Sequence, residues 1–66
     1  MYEHYYIVQF QRCDNLPNEE YYYSSHADAV KHFELFRGDD SGLYNRIVLL
    51  SWFGEATIEL RSMSFP

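Results

Sequence analysis

Asp28 and His32 stand four residues apart, the spacing that puts two side chains on one face of a helix. There a carboxylate can orient an imidazole, or both can touch a metal. Two ligands do not complete a site. The three histidines (His4, His26, His32) and the single cysteine, Cys13, lack the paired spacing of a structural zinc. Cys13 is a useful nucleophile only beside a base and an oxyanion donor, and it lies in the run CDNLPNE, which reads as a loop with no histidine at a suggestive spacing. Asp39-Asp40-Ser41-Gly42 has the composition of a calcium loop without the EF-hand spacing or its closing glutamate, and reads as a solvated turn. Arg37-Gly38-Asp39 spells an adhesion tripeptide, but a helix C-terminus accounts for all three residues. The expectation is a protein with no catalytic residue, metal or cofactor. A chain of 66 residues can hardly enclose a pocket of roughly 300 Å³ or more, which also argues against an enzyme.

The elements that must position these side chains are legible as alternations of period. HYYIVQFQR, residues 4–12, is rich in β-formers and sets Tyr6, Val8 and Phe10 on one face against Tyr5, Ile7, Gln9 and Gln11. EYYYS follows the loop as a short edge strand, a hairpin partner whose tyrosines must serve both sheet faces. Ser25 is placed to cap a helix, with Asp28 in its first turn, and Ala29, Val30, Phe33 and Phe36 form one apolar stripe. Arg37 and Gly38 suit the end of that helix. YNRIVLLSWF, residues 44–53, is a strand apolar on both faces. ATIELRSM, residues 56–63, returns after Gly54-Glu55 with Ile58 and Leu60 expected inward and Thr57, Glu59 and Arg61 outward. The fold expected is α+β, one domain over residues 1–66: an antiparallel four-stranded sheet in β-β-α-β-β order, with one helix on one face.

Size and charge narrow the function. A domain this short is marginally stable, and with one cysteine it has no internal disulfide to help. Seven tyrosines, five phenylalanines and one tryptophan, or self-association, must compensate. Ten acidic residues against five basic ones leave a net charge of −5, which disfavours direct nucleic-acid binding and favours a basic partner. Spread over a rigid sheet, the carboxylates could imitate a phosphate ladder. Without a signal-type or membrane-spanning stretch, and with one unpaired cysteine, the chain reads as cytoplasmic.

One helix covers one sheet face, so the other is expected to bind protein. Reading the third strand with Val48, Leu50 and Trp52 inward leaves Ile47, Leu49 and Phe53 uncovered, joined by Tyr21 and Tyr23, with Glu19, Glu20 and Glu55 on the rim. A one-residue slip exchanges that set for Tyr22, Val48, Leu50 and Trp52. In layout, HYYIVQFQR followed by YYYSSHADAVKHFELF and the hairpin IVLLSWFGEATIEL resembles the very short acidic accessory proteins of bacteriophages and mobile elements. That resemblance implies a class of small accessory proteins that includes inhibitors of host restriction and CRISPR-type defences, which act by occupying a surface of a larger complex. The alternative expectation is a homodimer assembled through the uncovered face.

Overall fold

The β-branched and aromatic runs become strands and the Ser25-led stripe becomes a helix. In the computed structural model, which describes residues 4–65, the order is β1 (His4–Arg12), β2 (Glu19–Tyr23), α1 (His26–Glu34), β3 (Tyr44–Phe53) and β4 (Ala56–Ser64). The strands form a single antiparallel sheet in the order β2-β1-β3-β4. This is the expected α+β arrangement, and β2 and β4 are its edges.

Ser25 is extended (φ −106°, ψ 127°) and its Oγ accepts the Asp28 N–H at 3.4 Å, so the cap forms as its residue type predicts. The helix is shorter than its apolar stripe. It ends at Glu34, and the N–H groups of Phe36, Arg37 and Asp39 then donate to the carbonyls of Phe33, Glu34 and Phe36. These tighter turns satisfy carbonyls that a helix end would otherwise leave open. They also swing Phe36 over Phe10, with ring centroids 4.8 Å apart. Gly38 closes the segment at φ +79°, a conformation that costs glycine little.

Ala29 and Phe33 press onto Val8, Phe10, Ile47 and Leu49, and these six side chains are the buried core. The face assignment of β3 is therefore the reverse of the expected one. Ile47 and Leu49 lie under the helix with no exposure, because cross-strand pairing sets them beside Phe10 and Val8. Tyr21 pairs with Val8 and Tyr23 with Tyr6, so two tyrosines of the triplet turn to the helix side and Tyr22 alone points away. Phe53 is on the helix side too, but it lies beyond the helix and is 50% exposed. The period-two rule holds through β2 and the central pairs of β1 and β3; what differs is the parity of β2 and β3 relative to β1.

β4 departs from simple alternation as well. Leu49 faces Arg61 while Leu50 faces Glu59, so Leu60 is an extra residue, a β-bulge, and parity reverses across it. Arg61, expected outward, thus reaches Glu34 on the helix at 3.3 Å. The helix lies over β1, β3 and β2, and the β3–β4 hairpin runs on past it. Ile58 pairs with Ser51 and so turns to the helix side as expected, but at 60% exposure no described element lies over it, and Leu60, at the bulge, is 43% exposed.

Arg12 holds the other hairpin. Its guanidinium grips Asp14 with two bonds of 2.9 and 2.7 Å and takes Glu19 at 2.7 Å, fastening the β1–β2 loop to both strands. The Cys13 N–H donates to the Leu43 carbonyl at 2.9 Å, which ties that loop to the start of β3.

Substitutions on β3 should separate the two faces. Leu49→Glu puts a charge in the core and abolishes the folded far-ultraviolet dichroism and dispersed amide spectrum, whereas Leu50→Glu keeps both. Phe33→Ala removes the helix's main anchor at about 3–5 kcal/mol, enough to unfold much of a domain of this size at room temperature. Retention of structure by Leu49→Glu would show that this face assignment is incorrect.

Candidate functional site

The face away from the helix is ordered in rows by strand register. Tyr22, Ile7, Leu50 and Glu59 form one row across the sheet, and Tyr5, Trp52 and Thr57 form the next. On the other side lie Glu20, Gln9, Val48 and Ser62. No secondary-structure element among the described residues covers these rows, and the molecule measures only 14 Å along its shortest axis. Yet Ile7 is 7% exposed and Val48 2%. Larger side chains of the same face gather around Ile7. Tyr5 and Trp52 stack with centroids 5.4 Å apart and planes 20° from parallel. With Tyr22 and Ile7 they line a cavity of about 270 Å³.

Beside this aromatic half runs a hydrogen-bonded polar half. Gln11 Nε2 donates to Gln9 Oε1 at 3.0 Å, Gln9 Nε2 donates to Glu20 Oε2 at 3.0 Å, and the Tyr22 hydroxyl donates to Glu20 Oε1 at 3.2 Å. The Glu20 carboxylate raises the Tyr22 phenol above its ordinary value, so the phenol remains a neutral donor at physiological pH. Across the sheet, Arg46 bonds Glu59 at 2.6 Å.

The residues expected at a single interface are thus dispersed. Ile47 and Leu49 belong to the core. Tyr21 and Tyr23 flank the helix, and Phe53 and Glu55 lie at the tip of the β3–β4 hairpin. Glu19 is taken up by Arg12 and by the Tyr21 hydroxyl at 2.9 Å. Glu20 does lie on the uncovered face. On that face with it are Tyr22, Val48, Leu50 and Trp52, the set that a one-residue slip selects, with Tyr5 and Ile7 from β1.

Sequence reasoning also missed one chemically suggestive pair. His4 Nε2 lies 2.7 Å from Ser51 Oγ, the separation of a base and a nucleophile. No local signal could reveal it, because it arises from pairing between the two central strands. The histidine ring packs against Tyr6 at 4.6 Å and against Phe53 at 5.5 Å. A second cavity, about 540 Å³ and open to solvent, lies between Arg37-Gly38-Asp39 and residues 62–65. Among the described residues no three His, Cys, Asp or Glu side chains converge as a metal set, and no helix is long and apolar enough to cross a membrane.

On the helix side, His32 fills a ring cluster of Phe10, Tyr21, Tyr23 and Phe36, and its Nδ1 shares a 2.7 Å hydrogen bond with the Tyr23 hydroxyl. Burial holds the imidazole below its ordinary value of 6.5. The unfolded chain therefore takes up this proton first, so the contribution is complete above that value and is lost as pH falls through the lower, folded one. Thermal melting followed by dichroism should show a midpoint that declines as pH falls below about 6.5. In His32→Gln the decline should start only lower, where Asp14 and Glu19, depressed by Arg12, and Glu34, depressed by Arg37, begin to protonate. Identical pH profiles for the two proteins would exclude His32 as the source.

Comparison with protein-family models, with curated proteins and with solved structures finds no match to this chain.

Proposed function

We propose that this chain is a small non-catalytic protein-binding module that occupies a partner's surface with its uncovered sheet face. The observation that carries the reading is that face itself: Tyr5, Ile7, Tyr22, Leu50 and Trp52 form an ordered apolar surface with no secondary-structure element over it among the described residues. Apolar patches of this kind, rimmed by polar groups, are where proteins meet. The net charge of −5 favours a basic partner and speeds encounter with one. Together with the resemblance in layout to phage accessory proteins, this makes the module an inhibitor of a nucleic-acid-handling or defence complex in the host cytoplasm.

A second reading is favoured by a separate observation. Phe53, Ile58 and Leu60 are all more than two-fifths exposed on the projecting hairpin, and self-association would cover them. In that reading the protein is a homodimer, and the dimer can still present its sheet faces to a partner.

Affinity capture from nuclease-treated bacterial lysate tests the first reading. The wild-type chain should retain a stoichiometric basic partner that raised salt releases, and the folded variants Leu50→Glu and Trp52→Ala should each lose most of it. Retention by both variants would exclude the uncovered face. Sedimentation velocity tests the second, which requires a dimer that Ile58→Ser dissociates.

A further inference from the structure

The four arginines of the described chain are all engaged with carboxylates: Arg12 with Asp14 and Glu19, Arg37 with Glu34, Arg46 with Glu59 and Arg61 with Glu34. Glu20 is different. Among the described residues its hydrogen-bond partners are the neutral Gln9 amide and the Tyr22 phenol. Those bonds hold the carboxylate at the hydroxyl end of one ring of the aromatic cavity. The cavity, about 270 Å³, is smaller than the roughly 300–1,000 Å³ of small-molecule sites, and suits one side chain. Its lining is Tyr5, Ile7, Tyr22 and Trp52, three electron-rich rings and an apolar floor.

From these contacts we infer that the cavity is a receptor for an arginine side chain of a basic partner, stacked on the rings and paired with Glu20. The inference rests on the binding-module reading and names the partner's anchoring chemistry. A flat, weakly hydrated guanidinium stacks on aromatic faces and forks onto a carboxylate, which fits both halves of this site. The chain's negative charge acts in the same direction at longer range. Glu20 and Tyr22 are both exposed, with Tyr22 at 61%, so an incoming side chain reaches them without opening the fold.

The test uses the peptide acetyl-Gly-Arg-Gly-amide and its uncharged isostere with citrulline in place of arginine. Trp52, the single tryptophan, reports binding by fluorescence, and the Tyr5, Ile7 and Tyr22 resonances locate it. The arginine peptide should saturate these signals, bind about tenfold more tightly than the citrulline peptide, and weaken as salt is raised. Glu20→Gln, close in shape to the native residue, should bring the two peptides to within about threefold of each other while leaving the amide spectrum folded. Tyr22→Phe, which keeps the ring, should bind more tightly than Tyr22→Ala. Equal binding of the two peptides overturns the inference but leaves the face available to another partner. Perturbation elsewhere, or none, overturns it as well. Failure of the wider reading is separately visible, as partner capture that is indifferent to Leu50→Glu and Trp52→Ala.

Discussion

Nine helical residues supply the whole second layer for a four-stranded sheet, and the remaining structure follows from how little they can cover. Phe33 and Ala29 reach Val8, Phe10, Ile47 and Leu49, so the core forms where the helix crosses the two inner strands. Aromatic rings extend it sideways. Phe36, Tyr44 and Tyr21 pack around Phe10 at 4.8, 5.1 and 5.5 Å, which adds buried area that the short helix lacks. Beyond its reach, no described secondary-structure element lies over the helix side of the β3–β4 hairpin.

The other face answers the same constraint differently. With no layer to pack against, the sheet shields Ile7 with its own larger side chains. Tyr5, Trp52 and Tyr22 gather around Ile7 and line the cavity above it. The polar chain from Gln11 through Gln9 and Glu20 to Tyr22 fixes the position of a carboxylate on that surface. Preorganisation of this kind reduces what an incoming group must lose on binding.

Element types were legible from periodicity, and faces only where polar residues broke the apolar pattern. Gln9 and Gln11 marked the outer face of β1, so Tyr6, Val8 and Phe10 were read inward correctly. Ile47 to Leu50 offers four apolar residues in succession, and nothing local says which pair is inward. That choice is made by pairing with β1, whose contact with β3 is distant in sequence. The β1–β2 loop likewise leaves the parity of the tyrosine triplet open, and the bulge at Leu60 reverses an alternation that otherwise looked secure. Glu20, Tyr5 and Ile7 were therefore legible at the candidate site. Tyr22, Leu50 and Trp52 entered only as the outcome of a slipped register.

The strand order also shapes the route to the folded state. β1 with β2, and β3 with β4, are local hairpins, the second closed by the two residues Gly54 and Glu55. The seam that joins them pairs His4 with Phe53 at one end and Arg12 with Tyr44 at the other. Even its shortest closure, Arg12 with Tyr44, joins residues about half the chain apart. Isolated two-stranded hairpins are marginal in water. Contact separation makes the meeting of the two half-sheets the costliest closure of this topology, with the helix carried on the connection between them. The rate should answer to residues at the seam, such as Val8 and Leu49, far more than to either turn.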